Sequence, residues 1–164
     1  VRNAMKVLFS LIICLYFPSA LSCPNFYGKW KSSSEMTMDF TNKWTKIEER
    51  AKSLLEQITG TAVVEYTTSK MIITDIPIKQ ISINGKQSEW HGLNQTIEYN
   101  LLGCTDDSVA IKYSLFGYDF IEQMYFINED TYWIYSGSAK LTENSHTREF
   151  FVRVKPIKSG KTNE

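Results

Sequence analysis

The residue types that most often carry catalysis are scarce in this chain. His91 and His146 are its only histidines, and neither belongs to a His-Glu-x-x-His or Cys-x-x-Cys spacing that binds zinc. Cys104 with one of these histidines could form a thiolate pair, but a cysteine and a histidine in one chain are mostly coincidence. No Gly-x-Ser-x-Gly turn or phosphate-binding glycine loop occurs. The sequence therefore predicts no enzyme, no catalytic residue, no metal site and no cofactor.

The beginning of the chain predicts export. Met5 and Lys6 form a short positive segment, residues 7–17 are almost continuously apolar, and small residues stand at Ala20 and Ser22. This order is typical of a cleaved signal peptide, and a buried terminal strand or helix is the alternative. We expect residues 1–22 to be the signal peptide and residues 23–164 to be a single secreted or periplasmic domain.

Two cysteines, Cys23 and Cys104, remain after the expected cleavage. In an oxidising compartment they could form a disulfide, whose loop of about 80 residues is worth roughly 4 kcal/mol. The alternative is bacterial lipoprotein processing, since residues 20–23 fit part of that pattern. Cys23 would then carry a lipid and anchor the protein to a membrane. The sequence leaves both alternatives open.

Net charge excludes one class of partner. Loss of Arg2 and Lys6 with the signal peptide leaves 16 basic side chains against 18 acidic ones. A chain with this formal charge of −2 has no basic excess to neutralise phosphates, so we expect no nucleic-acid partner. No later segment is apolar enough to cross a membrane as a helix.

Alternation of apolar and polar residues over residues 30–40 predicts the first strand. Its even positions would face inward: Trp30, Ser32, Ser34, Met36, Met38 and Phe40. The period then changes to three and four residues over residues 40–58, which predicts one amphipathic helix of about five turns. Thr41 is its expected N-cap, and Gly60 its expected end.

The rest of the chain has the pattern of a β-meander. Short alternating segments are separated by turn residues, and Asn84-Gly85 is a strong signal for a two-residue hairpin. Sequential antiparallel strands remove their exposed edges best by closing into a barrel. We therefore predict a mostly β protein, a small antiparallel up-and-down β-barrel of about eight to nine strands with one helix after the first strand. An open sheet packed on the helix is the alternative.

Residues Gly28, Lys29 and Trp30 carry a resemblance to a known family. Gly-x-Trp at the start of the first strand resembles the lipocalins and fatty-acid-binding proteins, the calycin barrels, and uncharacterised exported lipocalin-like bacterial proteins. The helix position is similar to that of fatty-acid-binding proteins, whereas the lipocalin Thr-Asp-Tyr motif is present only in altered order at residues 130–132. The resemblance implies that Trp30 plugs the closed end of the barrel. It also implies that Arg148 or Arg153 stacks on that ring.

These features together predict an exported protein that binds a small hydrophobic molecule inside the barrel. The expected ligand-binding residues are Ser34, Met36, Met38, Tyr66, Tyr99 and Tyr113. Small barrels can equally be filled by their own side chains. The alternative function is therefore a protein-interaction module, an inhibitor or accessory factor with a filled barrel and no ligand. Its partner would dock on an outer aromatic patch formed by Tyr118, Tyr125, Trp133 and Tyr135.

Overall fold

The computed structural model describes residues 22–74, 79–83, 85–136 and 147–155. The predicted signal peptide lies almost wholly outside these residues, as do His146 and Asn84 of the predicted hairpin turn. Among the helices within the described ranges, none is long and apolar enough to cross a membrane.

Eight strands close into one antiparallel barrel, and two more form a separate hairpin. Chain neighbours pair around the barrel, except that β3 pairs with β6 and β10 returns to β1. This arrangement confirms the predicted up-and-down barrel. The strands are β1 (Gly28–Ser32), β2 (Val63–Tyr66), β3 (Lys70–Thr74), β4 (Lys79–Ile83), β5 (Lys86–Trp90), β6 (Gln95–Cys104), β7 (Ser108–Leu115), β8 (Tyr118–Asn128), β9 (Thr131–Ser136) and β10 (Thr147–Arg153).

Strands β4 and β5 form the hairpin, which pairs from Ile83–Lys86 at its turn to Lys79–Trp90 at its far end. Gly85 has a φ of 73°, in the left-handed region that a tight two-residue turn requires. The sequence signal for this hairpin is therefore confirmed.

The predicted continuation of the first strand is wrong. The chain leaves β1 at Ser32 and forms helix α1 (Ser34–Trp44), so Ser34, Met36 and Met38 are helical and do not line the barrel wall. Ser33 caps the helix, because its side chain accepts a hydrogen bond from the Met36 backbone N–H at 3.3 Å. An alternating pattern short enough to suit a strand was thus overridden by a capping serine and by tertiary contacts.

Those contacts lie between α1 and β10. Thr37 and Thr41 are the buried residues of α1, and the Thr37 hydroxyl accepts a hydrogen bond from the Phe150 backbone N–H at 3.1 Å. Phe40 packs against the Phe150 ring at 5.9 Å. α1 therefore lies along β10 where β1 has ended, and it satisfies a backbone donor that the missing strand partner would have bonded.

The single long helix predicted over residues 40–58 is also wrong. Residues 45–48 interrupt it, and a second helix, α2 (Glu49–Ile58), follows. Thr41 is buried within α1 and is not an N-cap. Gly60 does end the helical segment with a φ of 82°, as predicted. None of the α2 residues is fully buried, so its apolar face is only half covered by the rest of the described chain.

One end of the barrel is closed by Trp30, which has no exposed surface. Its indole nitrogen donates to the Phe26 carbonyl at 2.8 Å, and the Arg153 guanidinium lies 4.1 Å from its ring centroid. Arg153 also donates to the carbonyls of Tyr27 and Glu129. Arg153 is therefore the arginine that stacks on Trp30, and we call this the closed end. The opposite end, from which α1 departs, is the open end.

A disulfide joins Cys23 to Cys104, with the two Cα atoms 5.4 Å apart. It ties the segment before β1 to the end of β6, and the predicted pairing is therefore present. A sulfur in this bond cannot also carry a lipid. Acylation of Cys23 stays a prediction for a form of the protein that lacks the bond.

Candidate functional site

Packing inside the barrel changes from one end to the other. Inward side chains near the closed end are fully buried, among them Trp30, Met71, Met124 and Phe151. Inward side chains toward the open end are only partly buried. Ile73, Tyr113, Leu115 and Ile134 are half-buried, and Phe120 is 41% exposed. The closed half is thus filled by its own side chains, whereas the open half retains space.

A carboxylate lies at the boundary between the two halves. Glu122 is on β8 opposite the fully buried Ile111, and its oxygens accept hydrogen bonds from the hydroxyls of Tyr66 at 3.4 Å and Tyr113 at 3.3 Å. The Glu122 side chain is only partly buried, so it keeps some surface that solvent can reach.

Strands β9 and β10 contribute further polar groups near Glu122. Glu149 accepts a hydrogen bond from the buried Ser32 hydroxyl at 2.6 Å, and its charge acts on Glu122. The Tyr132 hydroxyl is fully buried and interacts with the Tyr66 hydroxyl. It is close enough to Glu122 and Glu149 for both charges to act on it. We call Ser32, Tyr66, Tyr113, Glu122, Tyr132 and Glu149 the interior polar cluster.

Burial controls the protonation of this cluster. Desolvation raises the pKa of Glu122 from its ordinary 4.5 to about 7, with a contribution from the charge of Glu149, while hydrogen bonds from Tyr113 and Tyr66 act in the opposite direction. Desolvation likewise raises the pKa values of Tyr66, Tyr113 and Tyr132 well above 10. The three tyrosines therefore stay neutral near pH 7, where Glu122 changes charge.

The wall of the barrel opens beside the cluster. Pairing between β6 and β7 begins at Tyr99–Tyr113, and toward the open end β6 pairs only with β3. A cavity of about 670 Å³ lies at this separation and is open to solvent. Its lining is mostly polar and includes the exposed Lys112–Asp119 ion pair, together with the inward residues Ile97, Tyr113 and Leu115. Tyr113, a direct partner of Glu122, is the residue of the interior that this cavity reaches.

No protein-family model matches the chain, and no curated protein matches it in sequence. Among solved structures, a Schistosoma mansoni fatty acid binding protein in complex with arachidonic acid matches at 10% identity and a TM-score of 0.37. The match covers 82% of this chain and 100% of that one. The closed eight-stranded barrel itself, with Gly-x-Trp opening β1 and helices directly after it, decides the fold. The chain has a calycin-like fold.

The predicted ligand-binding residues separate into three groups in this calycin-like barrel. Tyr66 and Tyr113 face inward and belong to the interior polar cluster. Tyr99 also faces inward, but it lies in the filled half, where its hydroxyl donates to the Thr67 carbonyl and burial raises its pKa to about 12. The positions predicted for Ser34, Met36 and Met38 are wrong, because these residues lie on α1.

Sequence reasoning missed Glu122 and Glu149, the two acids of the calycin-like interior. The signal for Glu122 was present in β8. Phe120, Met124 and Phe126 occupy alternate positions, and Glu122 interrupts this apolar series on the inward face. A charged residue in an otherwise apolar register of a barrel strand marks an interior polar site. Glu149 occupies the corresponding inward position on β10, two residues before Phe151.

Three of the four predicted outer aromatic residues do lie together. The Tyr125 and Trp133 rings stack at 4.3 Å, and Tyr135 packs edge-on against Trp133 at 5.0 Å. Arg148 covers the other side, with its guanidinium 3.9 Å from the Trp133 centroid. We call Tyr125, Trp133 and Tyr135 the outer aromatic patch. Tyr118 lies apart from it, at the β7–β8 turn. Arg148 thus stacks outside the barrel and not on Trp30.

A second cavity, of about 1,060 Å³, lies outside the barrel at the closed end. It separates the segment around Cys23 from turns that carry Asp106, Asp107, Glu129 and Asp130. Asp130 is already paired with Arg153 and Lys155. Within the described residues, no group of three or more His, Cys, Asp or Glu side chains is arranged to hold a metal ion.

Proposed function

We propose that this chain is an exported binding protein that holds one small lipophilic ligand in the open half of its barrel. The observation that carries the proposal is the packing gradient. Trp30 and its neighbours fill the closed half, whereas half-buried Ile73, Leu115 and Ile134 leave apolar surface uncovered beside a few polar groups. An apolar cavity with a small number of oriented polar groups is the usual form of a small-molecule site.

The helical segment carries further half-buried apolar surface. Leu54, Leu55 and Ile58 lie on the half-buried face of α2. The main contacts of α2 within the described chain are with α1 and β4, and Gln57 bonds the Ser82 backbone in both directions.

Export is the other half of the proposal. The N-terminal pattern of residues 1–22 is that of a signal peptide. The Cys23–Cys104 bond is of the kind that persists in oxidising compartments. We propose secretion or a periplasmic location. Intact-mass analysis of the protein purified from its own host tests it, because an N-terminus at Cys23 and a disulfide are expected together.

Binding can be tested with the neutral fluorophore N-phenyl-1-naphthylamine. The native chain should bind it with a Kd in the micromolar range, about −8 kcal/mol. Ile134 faces the open half opposite Glu149, so Ile134→Trp should fill the space and abolish binding. Ile121→Trp is the matched control, because Ile121 is 72% exposed on the outer face of the same wall. Circular dichroism verifies that both variants keep the barrel.

A second candidate function is the protein-interaction module. The outer aromatic patch favours it, since Tyr135 is 56% exposed and extends the stacked Tyr125–Trp133 pair. Probe binding that survives Ile134→Trp and is lost in Tyr135→Ser would move the assignment to this patch. Binding lost in Ile134→Trp and kept in Tyr135→Ser would retain the barrel interior.

A further inference from the structure

The open half of the barrel has an electrostatic character that selects among lipophilic ligands. Its floor carries Glu122, and none of the ion pairs in the described part of the chain includes this residue. A buried carboxylate is costly unless a cation or several hydrogen bonds compensate it. Its two donors, the hydroxyls of Tyr66 and Tyr113, lie at 3.4 and 3.3 Å. Charge-assisted O–H···O⁻ bonds are normally about 2.5–2.7 Å long.

A second polar group lies behind this carboxylate. The Tyr132 hydroxyl has no accessible surface, interacts with the Tyr66 hydroxyl, and is close enough to Glu122 and Glu149 for both charges to act on it. Glu122, by contrast, keeps accessible surface. The carboxylate is therefore the acceptor that a ligand entering from the open half would reach.

The charges of nearby groups exclude one ligand class and favour another. A ligand carboxylate placed here would meet the negative charge of Glu122. The arginines of β10 do not counter this charge, because Arg148 stacks on Trp133 outside the barrel and Arg153 stacks on Trp30 at the closed end. An alkylammonium group has three donors and one positive charge. It could pair with Glu122 while its apolar chain extends toward the open end.

Resting on the proposed function, we propose that the ligand is a cationic amphiphile, an apolar body with a protonated amine that pairs with Glu122. The ligand class is thus a lipophilic amine and not a fatty acid. Ionised Glu122 is the form that binds it. The groups that face this carboxylate are Tyr66, Tyr113, Tyr132 and Glu149.

Three ten-carbon compounds that differ only in the head group test this assignment: decylamine, decanol and decanoate. Each compound is titrated into the complex of the native chain with N-phenyl-1-naphthylamine at pH 7.5, and displacement of the fluorophore is measured. We expect decylamine to compete at a concentration at least about tenfold below that of decanoate, with decanol between them. Glu122→Gln should lower the affinity for decylamine by about tenfold and change the affinity for decanol by less than about threefold. Glu65→Gln, on the outer face of β2 and paired with Lys29, is the matched control and should change none of the three.

The pH profile gives a second readout. Between pH 6 and pH 8 decylamine stays protonated while Glu122 ionises. The affinity for decylamine should therefore increase with pH, whereas the affinity for decanol should stay the same. Two results would overturn the amine assignment and leave the proposed function standing. In the first, decanol binds and decanoate binds as tightly as decylamine. In the second, Glu122→Gln leaves the binding of decylamine unchanged. If the fluorophore does not bind, and isothermal titration calorimetry shows that none of the three compounds binds either, the proposed function itself is overturned.

Discussion

Replacing Glu122 with glutamine should make the protein more stable than the native chain at pH 8, because the substitution removes a carboxylate that burial keeps from ionising freely. In the unfolded chain this residue has its ordinary pKa of 4.5, and in the barrel its pKa is about 7. Between these values the folded state binds more protons than the unfolded state. The free energy of unfolding therefore falls as pH rises from 4.5 to 7, and levels off above 7.

The size of the effect follows from the two pKa values. At about 1.36 kcal/mol for each pH unit between 4.5 and 7, ionised Glu122 lowers the stability of the native chain by about 3 kcal/mol. Tyr66, Tyr113 and Tyr132 do not titrate in this range, because burial raises their pKa values above 10. Titrating groups that do not interact with Glu122 affect the native chain and the variant alike, so they cancel in the difference.

Urea unfolding followed by tryptophan fluorescence at pH 4.5, 6 and 8 measures this difference. The stability of Glu122→Gln relative to the native chain should rise by about 3 kcal/mol from the lowest pH to the highest. Glu65→Gln, an exposed acid on the outer wall, should show a difference that changes by less than about 0.5 kcal/mol. A stability difference for Glu122→Gln that stays constant or shrinks with rising pH would refute the burial of this carboxylate.

Further predictions concern the closed end, the disulfide and a helix end. Trp30→Ala should lower the free energy of unfolding by roughly 3–5 kcal/mol. A double-mutant cycle with Arg153→Ala should give a coupling energy of about 0.5–2 kcal/mol, whereas the effects of Trp30→Ala and Arg148→Ala should be additive. Replacing both Cys23 and Cys104 with serine should lower the free energy of unfolding by about 4 kcal/mol; unchanged urea midpoints would contradict this. Gly60→Ala should destabilise the protein more than Gly85→Ala does, by about 1 kcal/mol or more. Both glycines have a positive φ, but only at Gly60 would an added Cβ lie 2.7 Å from the Ser34 Cβ. Equal losses of stability in thermal unfolding would argue against this close approach.

The strands were predictable because their signals are local. Alternation along β6 and β7 and the Asn84-Gly85 turn define strands and a hairpin with no knowledge of what lies across the barrel. Gly60 was predictable for the same reason, since a glycine that follows a helical pattern commonly adopts the left-handed conformation that ends it.

Helix α1 was not predictable in this way. Met36 and Met38 alternate with polar residues as a strand would, but the residues that are buried are Thr37 and Thr41, which a hydrophobicity pattern does not mark as core. Their burial depends on the backbone of β10, more than 100 residues away in the chain. The helical state is therefore decided by tertiary contacts and by the Ser33 cap.

The candidate site was only half visible in the sequence. Tyr66 and Tyr113 were identified because aromatic residues at inward positions suggest a cavity wall. Glu122 was not, because a lone glutamate in a strand usually faces solvent. Its role depends on three tyrosines that come from β2, β7 and β9, and only the closed barrel brings these strands together.

The most direct test of ligand binding inside the barrel is a crystal structure with 10-bromodecan-1-ol, whose bromine can be located by its anomalous scattering. We expect a bromine peak in the open half, on the side of Ile134 and Leu115. The alcohol oxygen should lie within about 3 Å of Glu122 or Tyr113. A bromine peak found only on the outer aromatic patch of Tyr125, Trp133 and Tyr135, with the open half filled by rearranged side chains, would contradict it.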